Sequence, residues 1–536
     1  FMIYRKGIFM RKRFNVTGTC IPEKHYMVKS KAKIQEIVDH YIKGGKYFTI
    51  HRARQYGKTT LLYMLEKELK DDYVVIRLSF EAADEIFISL YTLAMGLIRR
   101  IGRKLKAQTI SDKMITEWNQ PISKEFPLED LGDKITLLCE NCGKRIVLMI
   151  DEVDKNSDNQ IFLSFLGLLR SKYLEQMQGE DTTFWSVILA GVYDIKNLKL
   201  KLHPEQESKY NSPWNIAADF DMDLSFSQDD IKRMLDEYRK DRRIMMDISY
   251  ISGRIHQYTG GYPYLVSRIC LLLDEKIPYE KEFSNPSDAW TEKGLQRAIQ
   301  ELLRENNTLF DDMVKKLEEF PGLKKILQTI LFDGTDYLYN PDNYVMNIGT
   351  MFGFLKDQNG RLAIANRIFE MRLYNLFLSE MQIGSAISQA AVLDRNQFIC
   401  EGKLNMELVL EKFQEHFSEI YGDYDETFLE EQGRRLFLMY IRPIINGTGN
   451  YYCEAQTRTR KRTDLIIDYR GEQIIVEMKI WRGEEYQKRG EQQLFEYLEE
   501  YKVKKGYLLS FNFNKKKYTG IQKIQSGDKV IMEVVV

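Results

Sequence analysis

The stretch Tyr47-Phe48-Thr49-Ile50-His51-Arg52-Ala53-Arg54-Gln55-Tyr56-Gly57-Lys58-Thr59-Thr60 limits the fold of this chain more than any other. A short β-type run ends at Ile50, a loop closes on Gly57-Lys58-Thr59, and a helical pattern begins at Thr60. Strand, glycine loop and helix start, in that order, make a cradle for phosphate: the first amides of the helix point at the anion with the positive end of its dipole. In such a loop Gly57 lets the backbone approach, Lys58 reaches the β- and γ-phosphates, and the Thr59 hydroxyl holds Mg²⁺. The nucleotide-binding stretch is therefore expected to comprise Arg54, Gln55, Tyr56, Gly57, Lys58, Thr59 and Thr60. The glycine usual five residues before Gly57 is replaced by Arg52, so the loop must turn without it, with Arg52 and Arg54 adding positive charge.

About ninety residues on, Arg145-Ile146-Val147-Leu148-Met149-Ile150 is a continuous apolar run of buried-strand type that ends in Asp151-Glu152. A carboxylate at the end of a buried parallel strand beside a phosphate loop is placed to hold the water shell of Mg²⁺, which is the role expected of Asp151. Glu152 is then placed to orient and deprotonate an attacking water. Loop and acids together point to Mg²⁺-ATP.

Around these landmarks strands and helices alternate. Lys31 to Ile42, Thr60 to Lys70, Ile86 to Lys106, Leu128 to Asn141 and Gln160 to Tyr173 read as helices, and Tyr73 to Leu78 and Phe184 to Leu189 as strands. Such alternation gives a parallel α/β sheet with helices on both faces. Tyr26, in the extended lead-in Phe14 to Met27, is either a base-packing or a core tyrosine. With 536 residues the chain should hold about two to four domains. Its 78 basic and 78 acidic residues exclude a global charge that drives it to nucleic acid or membrane, so any such contact must be a local patch. No apolar run reaches membrane-spanning length, and Arg5, Lys6, Arg11, Lys12 and Arg13 are not followed by an apolar signal region. A cytoplasmic protein with no membrane partner is expected. Cys139 and Cys142 have half-zinc-site spacing with no second close pair, so a turn before the Arg145 strand is the preferred reading over a metal.

After a polar stretch from Lys196 to Phe220, helical patterns cover Gln228 to Arg242 and Ile248 to Tyr258. Thr259-Gly260-Gly261-Tyr262-Pro263 then breaks one helix and starts the next. It resembles the Gly-x-Pro element of signal-transduction-type ATPases, and that resemblance places Pro263 on the nucleotide base; an ordinary loop between two lid helices is the alternative. Ile299 to Leu331 reads as helix. Gly353 to Lys356 and Arg361 to Ile364 flank an Asn359-Gly360 turn, and this hairpin between helices suggests a winged helix, read as a switch or packing module rather than a DNA contact. Met381 to Gln397 is expected to be helical and to lead into a last domain.

That domain has its own chemical pattern. Thr463 to Asp468 and Gln473 to Lys479 read as strands about an Arg470-Gly471 turn. If Arg470-Gly471 is the loop, Tyr469 pairs with Glu472, and Asp464 lies opposite Glu477 with Cβ atoms about 5 Å apart. Asp468, Gln473 and Lys479 share their face, while Leu465, Ile467, Ile474, Val476 and Met478 form a core face. Two facing carboxylates repel unless a cation lies between them; a divalent metal relieves this, with Lys479 beside it to hold or activate water. Arg458, Arg460, Lys461 and Arg462 suit phosphate contacts or a solvated loop equally. Glu430 or Glu431 from an earlier helix is a candidate further acid.

An Asp followed by Glu-x-Lys on the next strand resembles the PD-(D/E)XK nucleases, and Gln493 and Tyr497 on the following helix resemble the Gln-x-x-x-Tyr element of the RecB-like branch. The whole chain resembles bacterial proteins that join an AAA-ATPase-like domain to a PD-(D/E)XK nuclease-like domain. That resemblance implies an α/β fold: a P-loop NTPase parallel sheet at 1–225, a helical lid at 226–300, a winged helix at 301–385, and a restriction-endonuclease-like α/β domain at 386–536. It implies an ATPase with Glu152 catalytic and Thr59 and Asp151 on Mg²⁺. It also implies a nuclease with Asp464, Glu477, Lys479, Gln493 and Tyr497 catalytic, and Asp464 and Glu477 on Mg²⁺ or Mn²⁺. ATP and a nucleic acid, DNA foremost, are the expected partners, in defence or repair; the other reading is an ATPase switch whose nuclease-like domain only binds. An oligomer is compatible with the fold but no residue assigns one, and Arg170 and Arg268 are only candidates for a trans-acting arginine.

Overall fold

The computed structural model describes residues 11–536 apart from 109, 154–159, 193–213, 333–334, 383–384, 422–429, 446–448, 455–462, 471, 481–483 and 513–519. Some side chains inside elements, those of Asp464, Glu430 and Glu431 among them, also lie outside the description. The chain divides into two compact units, Phe1–Met234 with Tyr262–Ser267 and Met351–Gly353, and Leu235–Gly261 with Arg268–Thr350 and Phe354–Val536.

The first unit is built on four parallel strands: β1 (Phe48–His51), β2 (Val74–Ser79), β3 (Ile146–Asp151) and β4 (Ser186–Gly191), in the order β1-β4-β3-β2. Every residue of β3 is buried, because its alternate side chains feed two cores. Val147 and Met149 pack with Leu61, Leu62 and Leu65 of helix α1 (Lys58–Leu69). Leu148 and Ile150 pack on the opposite face with Leu97 and Ile101 of α2 (Leu90–Leu105) and Leu166 and Leu169 of α3 (Gln160–Gln178). Truncating any one of these to Ala would cost about 2–5 kcal/mol. The single helix expected over Ile86 to Lys106 is in fact a short 3₁₀ turn and then α2, because Ser89 and Thr92 form a reciprocal cap that starts a new helix.

In the second unit the continuous helix expected from Ile299 to Leu331 is three: Glu292–Arg304, Thr308–Glu319 and Pro321–Phe332. Asn307 caps the second through a bond from the Phe310 amide (3.0 Å), and Pro321 opens the third, where its missing N–H is harmless. Helix α4 (Ile248–Thr259) is followed by α5 (Pro263–Glu275), which spans the unit boundary. The hairpin of β5 (Leu355–Gln358) and β6 (Arg361–Ile364) turns at Asn359-Gly360, both at positive φ. Helix α6 (Arg367–Gln382) ends near 383, so the helix expected from Met381 is instead its last turn and a separate helix, Ala386–Asp394.

The second unit ends in a six-stranded mixed sheet: β7 (Gly449–Glu454), β8 (Thr463–Tyr469), β9 (Glu472–Ile480), β10 (Lys505–Phe511), β11 (Gly520–Ser526) and β12 (Lys529–Val535), in the order β7-β8-β9-β10-β12-β11. Strands β9, β10 and β12 are mutually parallel. Helix α7 (Glu430–Ile445) covers one face so closely that a Cβ on Gly433 would lie 2.5 Å from the Phe511 ring. Helix α8 (Glu484–Glu500) covers the other, with Leu494, Tyr497 and Leu498 against Ile475, Leu508 and Ile531. Among the described residues no helix is long and apolar enough to cross a membrane.

Candidate functional site

At the phosphate loop, β1 delivers the chain to a turn that needs two residues at positive φ, Gln55 (57°) and Gly57 (81°). Gly57 is the N-cap of α1, so its Cβ-free backbone faces the space where the first helical amides converge. Lys58 is buried, and its ammonium donates to the carbonyls of Arg52 (2.8 Å) and Ala53 (2.9 Å). Asp151 is buried at the end of β3 and accepts from the Glu152 amide (3.0 Å), while Glu152 itself stands at φ 58°. A left-handed, non-glycine residue at a strand end costs on the order of 1–3 kcal/mol and clusters at functional positions.

One neighbour of the loop, Arg52, differs from expectation. Arg52 does not add its charge to the loop's mouth: its guanidinium donates to the His51 carbonyl (2.8 Å) and the Met222 carbonyl (2.5 Å) and lies over the Phe220 ring. It holds the turn that a glycine would otherwise allow. Pro263 lies against Gly57, 3.9 Å from where a Cβ would be, so it borders the phosphate end of the loop. Tyr262 donates to the Arg54 carbonyl and meets Tyr56 edge-on at 4.8 Å; burial pushes the Tyr56 phenol up to about 12. Thr60 accepts from the Cys20 amide (3.0 Å), which ties the lead-in segment to α1. Tyr26 is a core residue packed on Phe14. Cys139 lies in the last turn of the helix Pro127–Asn141 and Cys142 is its C-cap, and burial raises both thiols; among the described residues no cluster of metal-ligand type forms.

At the hairpin the register is the expected one: Tyr469 pairs with Glu472, Asp468 with Gln473, and Leu465 with Val476. The pairing runs to Leu465, and the Asp464 side chain lies outside the described residues. Helix α8 lies over the carboxylate face, so that face is covered as well. Glu477 is fully buried there, with its carboxylate 3.0 Å from the Lys479 ammonium. The Lys479 stem rests on Gly490 of α8, where an added Cβ would meet it at 3.6 Å, an ordinary van der Waals contact. Gln493 donates to the Tyr497 hydroxyl (2.9 Å) on the same helix.

The sheet carries more polar residues on this face than the motif contains. Glu477 pairs with Leu508, Leu508 with Glu533, and Glu533 with Gln522, which is one row across four strands. Glu533 is buried and accepts from the Ser510 hydroxyl (2.9 Å) and from the Gln522 amide. Glu491 on α8 has its pKa raised, by burial first and the Glu533 charge second. Asp468 is buried too, and burial raises its pKa; it accepts from Tyr258 (2.5 Å) and Gln473 (2.9 Å). The signal for Glu533 was a lone acid inside the apolar run Val530 to Val536.

Residues 17–318, more than half of the chain, match the model of the AAA-like domain. The chain belongs to that family. Residues 450–524 of this AAA-like protein match the PD-(D/E)XK nuclease superfamily, so it also carries a C-terminal domain of that type. No curated protein matches the chain. Among solved structures it is similar to a Walker-type ATPase of Pyrococcus abyssi (14% identity, 67% of this chain and 99% of that one, TM-score 0.44). It is also similar to the ORC2 protein of Aeropyrum pernix in its ADPNP–ADP complexes (12%, 69% and 98%, TM-score 0.39) and to a mutant RuvB of Thermotoga maritima (12%, 62% and 92%, TM-score 0.31).

Of the sequence's other candidates in the AAA-like protein, Arg268 is held by Glu305 through both its Nε (3.1 and 3.0 Å) and its terminal nitrogen (2.5 Å), so it is committed within the second unit. Arg170 sits half-buried on α3. Arg458, Arg460, Lys461 and Arg462 lie outside the described residues, as do the side chains of Glu430 and Glu431.

Proposed function

We propose that this chain binds and hydrolyses Mg²⁺-ATP at Gly57–Thr60 and Asp151-Glu152, and that its nucleotide state controls a metal-dependent nuclease centred on Asp464, Glu477 and Lys479. The observation that carries the reading is the buried Glu477–Lys479 pair on β9, in a hairpin whose register runs from Tyr469–Glu472 to Leu465–Val476. A fully buried carboxylate beside a lysine is costly unless the pair has a use, since an uncompensated buried ion costs several kcal/mol.

The residues fit the groups the families imply. The phosphate loop offers a glycine at φ 81°, a buried ammonium and a buried strand-end acid, which suits a polyphosphate and a hard cation. Arg54, Gln55, Tyr56, Gly57, Lys58 and Thr60 would hold the nucleotide, Thr59 and Asp151 the Mg²⁺, and Pro263 would border the phosphates. Glu152 would take a proton from the attacking water. At the hairpin the donors are carboxylate oxygens, the ligand type of Mg²⁺ and Mn²⁺. Bound there, a divalent ion would polarise a phosphodiester. Lys479 would orient water or the scissile phosphate, and Gln493 and Tyr497 would line the same face from α8.

Residues 1–225 would then form the ATPase domain, 226–300 its lid, 301–385 a winged-helix-type switch built on the β5–β6 hairpin, and 386–536 the nuclease domain. The substrate is nucleic acid, DNA foremost, and the setting is the cytoplasm, whose reducing conditions suit the free thiols of Cys139, Cys142 and Cys270. The complete burial of Glu477 favours one other reading, an ATPase switch whose nuclease-like domain binds without cutting, because a metal ligand must be reachable by its ion. Cleavage of supercoiled DNA, linear DNA and RNA, with Mg²⁺ or Mn²⁺ and with or without ATP, separates them. Metal-dependent cutting is expected; ATP turnover with no cutting of any substrate supports the switch.

A further inference from the structure

Asp468 has no part in the proposed chemistry, yet it is buried on the carboxylate face of β8, four positions along from Asp464. Its partner is unusual in sequence terms. The Tyr258 hydroxyl, 210 residues away, donates to it at 2.5 Å, and the same hydroxyl accepts from Arg254 (3.2 Å). Arg254 is in turn held by both oxygens of Glu292 (2.6 and 3.0 Å). One phenol on α4 therefore grips the nuclease-type hairpin, braced through Arg254 by Glu292 at the start of the helix Glu292–Arg304.

Tyr258 also stands at a particular place in the chain. Helix α4 ends at Thr259, and Gly260 (φ 56°) and Gly261 (φ 74°) turn it sharply. The turn is held: Thr259 donates to the Ile255 carbonyl (2.7 Å) and accepts from the Gly261 amide (3.2 Å), and a Cβ on Gly260 would meet the Ala365 carbonyl at 3.1 Å. The next two residues are Tyr262, bonded to the Arg54 carbonyl, and Pro263, packed against Gly57. Six consecutive residues thus carry a contact to the hairpin at one end and contacts to the phosphate loop at the other, joined by a covalent and internally bonded turn.

We propose that the Tyr258–Asp468 hydrogen bond is the joint through which occupancy of the phosphate loop reaches the nuclease-type hairpin. This rests on the nucleotide reading of Gly57–Thr59. A bound phosphate competes with the Arg52 and Ala53 carbonyls for the Lys58 ammonium. When Lys58 changes partner, the Arg52–Gly57 backbone resettles, and Tyr262 follows the Arg54 carbonyl it is bonded to. The bonded turn passes that shift to Tyr258, and Asp468 moves with its only phenolic partner among the described residues. Asp464 lies on the same strand. Coupling of this kind is reciprocal, so ligands at the hairpin must bias nucleotide affinity by the same factor. Tyr258 and Asp468 act here as positioning residues.

The test is amide hydrogen exchange over residues 465–480 of the full chain, with and without saturating Mg²⁺-ATP, beside a direct titration of ATP binding. In wild type, ATP is expected to change exchange there by about fivefold or more, the lower end of measured site-to-site couplings. Tyr258→Phe should keep ATP affinity and lose that change, whereas Asp468→Asn, which retains an acceptor oxygen for the phenol, should preserve it. If Tyr258→Phe does not fold, Asp468→Ala removes the acceptor instead, with the same expected loss. A Tyr258→Phe protein that responds like wild type, or a wild type that binds ATP with no change in the hairpin, overturns the joint. A chain that fails to bind ATP at all shows the nucleotide reading itself to be wrong, and the joint falls with it.

Discussion

At the phosphate loop the charged groups are satisfied by backbone: Lys58 by two carbonyls, Asp151 by the amide of Glu152, Arg52 by the carbonyls of His51 and Met222. At the hairpin they are satisfied by side chains: Glu477 by Lys479, Asp468 by Tyr258 and Gln473, Glu533 by Ser510 and Gln522. The partners of Lys58 and Asp151 come with the local chain path, so that part of a loop site can be written in a few consecutive residues, whereas the Met222 carbonyl is brought to Arg52 by the fold. Side-chain partners must be brought in by the fold from wherever they lie, and each is a separate substitution away from being lost. The first site should therefore tolerate change around it and the second should not.

The largest expected effect tests the side-chain half of that contrast. Glu477→Gln removes the charge that the proposed metal and Lys479 share, and cleavage should fall on the order of a thousandfold while the protein stays folded. A metal-induced rise in melting temperature should vanish with it. A Glu477→Gln protein that cuts normally would place the chemistry elsewhere.

Next in size is Glu152→Gln. Loss of a general base lowers turnover by about a hundredfold or more, and ATP affinity should be unchanged, because Glu152 is not among the groups that would touch phosphate. Equal loss of affinity and turnover would mean that the left-handed turn at Glu152, rather than its carboxylate, is what matters. Lys58→Ala should follow, with ATP binding weakened by about tenfold or more, the worth of a charge-assisted hydrogen bond.

The smallest effect concerns Asp468. Burial raises its pKa above the ordinary 3.8, against the lowering influence of Tyr258, Gln473, Arg254 and Arg367. The fold thus prefers the protonated acid; that stabilisation is complete below about pH 4 and is lost as pH rises through the folded value. Asp468→Asn cannot ionise, so it should melt with wild type in acid and a few degrees above it at neutral pH. A mutant less stable than wild type at neutral pH would show instead that the two arginines hold Asp468 ionised.

What could be read from sequence follows the same division. Gly57-Lys58-Thr59 and Asp151 were legible because their chemistry is contiguous and their strands are plain apolar runs. The hairpin register was legible because the Arg470-Gly471 turn leaves one pairing, Tyr469 with Glu472, and Gln493 and Tyr497 because helix spacing is local. Arg52 was misread because its partner Met222 is 170 residues away. That a helix covers the hairpin's carboxylate face was not legible, because alternation shows which residues share a face but not whether a helix covers it. Tyr258 and Ser510 were missed for the same reason: nothing local marks a tyrosine at a helix end or a serine in a strand as a partner for a distant acid.

The central claim is that the two sites work as one device. Its most direct test is the ratio of nucleic-acid cleavage rates with and without ATP, at fixed Mg²⁺, in wild type and in Lys58→Ala. The account predicts a ratio well away from one in wild type, and a ratio of one in Lys58→Ala with its ATP-free cleavage rate intact. The same ATP-dependent ratio in both proteins would contradict it.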